Sequence, residues 1–223
     1  FVAEWDSRLD QLVLHAATQF PHVVRTALAQ CLALAEAQIR VISPDVGGGF
    51  GYKAILAAEE VCLCWLALRC GHAVRWIEDR REHLTANANC REHHYNITAY
   101  ADDNGQLLAV DAECIVDSGA YSAYPFTAAI EASQVGAILP GPYDFTGYRC
   151  RSYAVATNKA PILPYRGVAR PGVCYAMELM IDAVARAADI EPWKVRLRNL
   201  VPPNAMPYDN ITDKHFDSGD YPE

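Results

Sequence analysis

Pro44-Asp45-Val46-Gly47-Gly48-Gly49-Phe50-Gly51-Tyr52-Lys53 is the stretch on which the fold turns. Four glycines in five positions exclude an ordinary helix or strand, because each interior glycine costs about 0.5–1 kcal/mol relative to alanine. What they offer is backbone freedom: positive φ, uncovered N–H groups and room for a ligand to come close. Upstream, Ile39-Arg40-Val41-Ile42-Ser43 alternates and is rich in β-branched residues, which predicts a strand. Downstream, Ala54 to Arg69 is rich in alanine and leucine, which predicts a helix. A strand, a glycine loop and a helix N-terminus together form an anion site, with Lys53 adding a cation at the same end. The plain alternative is a tight glycine turn that binds nothing.

Two nucleotide motifs are excluded. A P-loop needs Gly-Lys followed by Ser or Thr, whereas the order here is Gly51-Tyr52-Lys53-Ala54. A dinucleotide fingerprint needs G-x-G-x-x-G, and Phe50-Gly51-Tyr52 breaks the final spacing. A nucleotide-binding module therefore rests on the glycine loop alone.

The 223 residues are 52% hydrophobic, enough for one large or two small cores. A net charge of -8 argues against nucleic acid and against an anionic membrane surface as partner. No run of eighteen apolar residues is present, so no membrane span is expected. The start, Phe1-Val2-Ala3-Glu4, has neither an initiator Met nor a signal segment and reads as the interior of a longer protein. None of the eight cysteines forms C-x-x-C, and Cys62 and Cys64 fall on different faces of a helix. Buried, reduced thiols in a cytoplasmic protein are the expectation, with no metal ligands among them.

Along the chain, the pattern predicts a strand over Leu9–His15 and a helix from Phe20-Pro21-His22 to about Leu34, with Val23, Leu28, Cys31 and Leu32 on one apolar face. Gly71 is placed to end the second helix. A short strand over Ala73–Ile77 precedes a turn of helix capped by Asp79. His93–Ala101 and Gln106–Val116 read as a hairpin around Asp102-Asp103-Asn104-Gly105. Asp117 to Tyr143 carries no clear period. A strand over Cys150–Thr157, a proline-rich loop over Asn158–Pro171, and helices over Cys174–Ala188 and from Glu191-Pro192-Trp193 to Asn199 follow. Met177, Leu179, Ile181 and Ala185 are candidate core residues, and the tail from Pro202 is expected to be extended. The fold class is α+β, with mixed sheets and helices, and a possible sub-boundary falls near residues 90–105.

Three stretches, in order, resemble the molybdenum-binding large subunit of the xanthine oxidase family, nearest to its carbon monoxide dehydrogenase-like and aldehyde oxidase-like members. They are Thr18-Gln19-Phe20-Pro21-His22, the glycine loop, and Asn158-Lys159-Ala160-Pro161-Ile162-Leu163-Pro164-Tyr165-Arg166-Gly167-Val168-Ala169-Arg170-Pro171. Trp5-Asp6-Ser7-Arg8, Arg75 to His83, Asp117-Ser118-Gly119-Ala120-Tyr121, Glu178 to Asp182 and Val195 to Asn199 extend the likeness over residues 1–223, as the first molybdenum-cofactor domain. The resemblance implies molybdopterin or molybdopterin cytosine dinucleotide carrying molybdenum, with few protein ligands to the metal. It implies that Gln19 and Arg166 face the metal centre and that Gly48, Gly49, Phe50 and Gly51 bring backbone up to the cofactor. It implies hydroxylation of an aldehyde or N-heterocycle with oxygen from water. The electrons then leave through [2Fe–2S] clusters and FAD on partner subunits or domains.

Departures narrow the expectation. Carbon monoxide oxidisers carry a cysteine after the loop arginine, where this chain has Gly167. Xanthine-type enzymes carry a glutamate after the loop lysine and an aromatic two past the arginine, where this chain has Ala54 and Val168. The family's general base lies in a later part of the large subunit, beyond Glu223, so the isolated chain is expected to be inactive. Asp45 is expected to bond loop amides, Glu59 and Glu60 to point along the helix axis or to solvent, and Glu178 to pair with an arginine. A non-catalytic relative without cofactor is the reading from a different class.

Overall fold

The computed structural model describes residues 1–86 and 89–223. Its contacts group into two compact units. The first is Phe1–Cys90 with Gly119–Ala128 and Ala156–Arg166, and the second is Arg91–Ser118 with Ala129–Val155 and Gly167–Glu223.

The first unit is built on a four-stranded sheet ordered β3-β2-β1-β4, from β1 (Val2–Asp6), β2 (Gln11–His15), β3 (Ile39–Ile42) and β4 (Val74–Arg75). β1 and β2 form an antiparallel hairpin, whereas β2 and β3 run parallel, joined through α1 (Pro21–Leu32). Leu12 and Leu14 alternate inward and meet Val24 and Leu28 of α1 and Leu63, Cys64 and Ala67 of α2 (Ala58–Cys70). The fully buried residues of α1 are Val24, Ala27 and Leu28, so of the expected face only Leu28 is fully buried, and Cys31, in the last turn, is exposed. Gly71 ends α2 in the left-handed region, as expected. Asp79 and Glu82 cap α3 (Arg80–Ala86) reciprocally, each carboxylate accepting from the other's backbone N–H at 2.7 and 2.9 Å.

β1 lies outside the predicted elements. The predicted strand at Leu9 begins only at Gln11, after a turn in which Asp6 Oδ1 accepts from the N–H groups of Arg8 and Leu9. The larger correction concerns α2, which starts at Ala58 instead of Ala54. Glu60 accepts the Ala57 N–H at 2.8 Å and fixes the first turn there. Glu60 is buried, contrary to expectation, and burial pushes its carboxyl pKa up to about 7.

The second unit carries the sheet β5-β6-β7, from β5 (His93–Ala101), β6 (Leu107–Gly119) and β7 (Gly147–Ala156). The hairpin is where period-2 alternation placed it, with Asp102 Oδ1 accepting from Asn104 and Gln106 N–H groups and Gly105 at φ +76°. Arg149 pairs with Asp111 and Arg151 with Glu113, both 38 residues apart, so β6 and β7 run in the same direction. The connection between them holds α4 (Ile130–Ile138), in the stretch that carries no amphipathic period. In α5 (Arg170–Ala188) the residues Val173, Ala176, Met177, Met180, Ile181, Val184 and Ala185 form one buried stripe. Leu179 is exposed, because it falls off that stripe. α5 begins four residues earlier than expected, with Pro171 in its first turn. The tail is a short hairpin of β8 (Tyr208–Asp209) and β9 (His215–Phe216) instead of an extended strand. Of the thiols, Cys64 and Cys114 are buried, while Cys31, Cys62, Cys70 and Cys174 are exposed, so the expectation of buried thiols fails for those four.

Glu178 accepts from Arg196 of α6 (Pro192–Asn199) at 2.7 Å, as expected, and from the Tyr143 hydroxyl at 2.7 Å. Asn199 ends α6 fully buried and bonds on every side. Its Oδ1 accepts from Gln106 Nε2 at 2.8 Å and Leu107 N–H at 2.7 Å, and its Nδ2 donates to the Gly105 and Val195 carbonyls, each at 2.8 Å. One side chain thus ties the hairpin turn to α6. Asn199→Ala leaves several buried groups unpaired and should lower stability by about 2–4 kcal/mol in urea unfolding. A loss under about 0.5 kcal/mol would contradict this account.

Candidate functional site

The site is built where β2 and β3 end side by side. Ala16 N–H donates to the Ile42 carbonyl at 3.0 Å, and Ser43 Oγ donates to the Thr18 carbonyl at 2.7 Å. Past these strand ends the segment 16–20 and the glycine loop are stitched together. Gln19 N–H and Thr18 Oγ1 both donate to the Lys53 carbonyl, at 2.8 and 3.2 Å. The loop then folds on itself, with Tyr52 N–H bonded to the Gly49 carbonyl at 2.9 Å and Ala54 N–H to the Gly51 carbonyl at 3.1 Å.

Its conformation is one that side chains resist. Gly48 lies at φ +93° and Gly51 at φ +103°, and Phe50 between them takes φ +52°. A methyl group on Gly49 would overlap the Gln19 amide. One on Gly51 would lie 2.8 Å from the Pro164 carbonyl oxygen, a backbone atom that cannot swing away. Glycine is thus required at 51 by both φ and space, and at 49 only for the Gln19 amide to keep its place.

The three sequence-predicted stretches converge here. Gln19 Oε1 accepts the Gly51 N–H at 3.1 Å, and Arg166 N–H donates to the Phe50 carbonyl at 2.8 Å. The Phe50 and Tyr165 rings stack at 5.9 Å. The Gln19–Gly51 bond also orients the amide. A backbone N–H needs the carbonyl oxygen, so the Gln19 nitrogen is turned outward as a donor. Gln19, Phe50 and Arg166 are exposed, and Gly48 and Gly49 border them. Gly167 and Val168 take φ +97° and +53°.

One expectation about the loop is overturned. It does not lead directly into a helix N-terminus, because α2 begins at Ala58 and Glu60 already holds the first amide there. Lys53 keeps its charge at the loop, while its Nζ donates one hydrogen bond to the Val46 carbonyl and clamps the loop closed. Asp45 makes no hydrogen bond to loop amides among the described residues. Thr18, Tyr52 and Lys53 also line a cavity of about 220 Å³ whose other walls include Glu60, Trp76 and Ile77. Burial, then the charges of Glu78, Glu59 and Glu60, keep the Tyr52 hydroxyl protonated well above its ordinary range.

Sequence reasoning missed the supports of the second loop. Asn89 pairs with Ile162 in a short parallel bridge, its N–H on the Pro161 carbonyl and its carbonyl on the Leu163 N–H. Gly119, at φ +66°, lies against the Ala160 carbonyl so closely that no side chain fits. The Ser118-Gly119 pair was the available signal.

What the site presents is an amide donor and uncovered loop backbone, suited to oxygen atoms of a bound group, with Arg166 exposed beside them. Among the described residues no three His, Cys, Asp or Glu side chains are grouped to hold a metal ion. This donor set fits a cofactor that brings its own metal ligands and needs hydrogen bonds from the protein.

Comparison with known proteins agrees with that fit. Residues 1–200 match the family model described as the molybdopterin cofactor-binding domain. The nicotine 6-hydroxylase large subunit of Paenarthrobacter nicotinovorans is 34% identical over 100% of this chain and 27% of its own length. The carbon monoxide dehydrogenase large chain of Hydrogenophaga pseudoflava is 32% identical over 99% of this chain and 28% of its own length. The crystal structure of quinoline 2-oxidoreductase from Pseudomonas putida 86 superposes with a TM-score of 0.93 at 39% identity, covering 99% of this chain and 28% of that one. The chain therefore spans a little over a quarter of the length of the relatives it matches, and its α+β fold of mixed sheets and helices is theirs. This chain belongs to the molybdopterin cofactor-binding domain family.

Proposed function

We propose that this chain is the first molybdenum-cofactor domain of a hydroxylase large subunit, and that the assembled enzyme oxidises an aldehyde or N-heterocycle with oxygen taken from water. The observation that carries the reading is the convergence at one loop: Gln19 on Gly51, and Arg166 on Phe50. The relatives named for nicotine and quinoline support an N-heterocyclic substrate.

When bound, molybdopterin or its cytosine dinucleotide form supplies a redox-active metal for a two-electron oxidation. The residues of this chain do the rest of the work ascribed to this face. The Gln19 nitrogen would donate a hydrogen bond to the cofactor, since its Oε1 is taken by the Gly51 N–H. Gly48, Gly49, Phe50 and Gly51 hold the backbone where a side chain would obstruct the cofactor. Arg166, fixed at its backbone N–H by the Phe50 carbonyl, would bring a positive charge beside the metal centre. The Lys53–Val46 clamp keeps the loop shape without ligand present. Gly167 carries no thiol, which sets this chain apart from carbon monoxide oxidisers, and Ala54 and Val168 remove the acid and the ring that a purine would meet. FAD and [2Fe–2S] clusters, needed to carry electrons away, are assigned to partner subunits or domains. The general base is assigned to the remainder of the large subunit. The relatives' names, a large subunit and a large chain, support such an assembly. No helix of the described residues is long and apolar enough to cross a membrane; a cytoplasmic enzyme is the reading we favour.

Two variants of the assembled enzyme separate holding from turnover. Gly51→Val should leave the cooperative unfolding transition in place, because the loop lies outside the core, yet abolish molybdenum content by elemental analysis. Stoichiometric molybdenum in folded Gly51→Val would refute the loop assignment. Gln19→Ala should keep molybdenum and slow turnover by about 10²–10³, the usual effect of losing one preorganised donor. An unchanged rate together with unchanged metal spectra would place Gln19 elsewhere.

A further inference from the structure

A buried carboxylate in the second unit has no part in the site described above. Glu131, in the first turn of α4, is completely buried, and its Oε2 lies 2.5 Å from His93 Nε2. The imidazole is 2% exposed, and its Nδ1 lies 2.9 Å from the Tyr95 hydroxyl. Glu131 Oε1 has no hydrogen-bond partner among the described residues. A carboxyl group buried with one partner is costly, and an apolar side chain of similar size would pack there without that cost. The pair therefore calls for a purpose beyond packing.

The imidazole supports the start of α5. A methyl group on Gly172 would lie 2.6 Å from His93 Nδ1, so only glycine lets this turn rest on the ring. Two more side chains hold the residues just before it. Arg91 Nε donates to the Val168 carbonyl at 3.3 Å, and Gln134 Oε1 accepts from the Ala169 N–H and from the Arg170 guanidinium, each at 3.4 Å. Gln134 lies one turn along α4 from Glu131, so one helix serves both contacts. The segment they hold is strained: Val168, a β-branched residue, sits at φ +53°, a conformation that persists only when its surroundings impose it.

We propose that Glu131 is a positioning residue that acts through His93. With Gln134, it fixes Gly167–Gly172 and so the backbone that leads directly out of Arg166. The consequence for catalysis rests on the reading of Arg166 as a site residue.

Amide hydrogen exchange on the assembled enzyme, read by mass spectrometry peptide by peptide, tests this below the unfolding transition. Glu131→Ala should speed exchange over residues 167–173 by about 10-fold or more, as expected when a buried partner is removed. Peptides from β6 and from 208–216 should be unchanged. Glu131→Gln should restore protection, since an amide can still bond the imidazole. Gln134→Ala, at a half-buried position that does not threaten folding, should loosen the same residues. Unchanged exchange over 167–173 in both alanine variants, or an even rise across the second unit, would overturn the proposal. Arg166→Ala examines the reading beneath it: exchange over 167–173 should stay at the parent level while turnover is lost. If turnover survives Arg166→Ala while Glu131→Ala still loosens the segment, the site reading falls and the positioning stands.

Discussion

A single hydrogen bond from the Gly51 N–H to Gln19 Oε1 organises the site, at 3.1 Å. It joins the segment after β2 to the loop after β3, and it decides which end of the Gln19 amide faces outward. The bond can form only because the loop takes positive φ at Gly48, Phe50 and Gly51 and because nothing larger than hydrogen stands on Gly49. From it follow the position of the Phe50 carbonyl, the anchoring of Arg166 N–H on that carbonyl, and the stacking of Tyr165 on Phe50. The loop is thus held by its own polar groups and by Lys53. The apolar core beneath it holds the strands from which it springs.

That core explains why the strand ends are rigid enough to serve. Leu12 and Leu14 are completely buried between α1 and α2, and the parallel pairing of β2 with β3 brings their C-terminal ends to the same edge of the sheet. Ligand sites in such units form where neighbouring strands end and their loops diverge. The second unit follows a different plan, with buried polar side chains at its joints. Asn199 fastens a turn to a helix, and Glu131 with His93 fastens a strand to a helix. Such groups specify one arrangement, since any other leaves them unpaired.

What could be read from the sequence follows from how local the cause is. The hairpin of β5 and β6 was legible because alternation and Asn-Gly act within a few residues, and the Asp79 cap and Gly71 stop were legible for the same reason. The stripe on α5 was legible at Met177, Ile181 and Ala185, whereas Leu179, two residues from both Met177 and Ile181, falls on the opposite face. α4 was hidden because Ile130–Ile138 is apolar on most sides and shows no period. At the site, Gln19, the glycines and Arg166 were visible through resemblance, and the structure brings them together. The roles of Lys53 and Glu60 were not visible. A lysine beside glycines suggests a ligand, and only the folded chain shows it bonded to the Val46 carbonyl. A glutamate near a helix start suggests solvent, and only the packing of α2 shows it buried.

The central claim is that this loop cradles a molybdenum cofactor. Anomalous diffraction collected at the molybdenum absorption edge, on crystals of the assembled enzyme, tests it most directly. The account predicts one anomalous peak per chain beside the Gln19 amide nitrogen and the Phe50–Gly51 backbone. A molybdenum peak elsewhere in the assembly, with the glycine loop facing only solvent or protein, would contradict it.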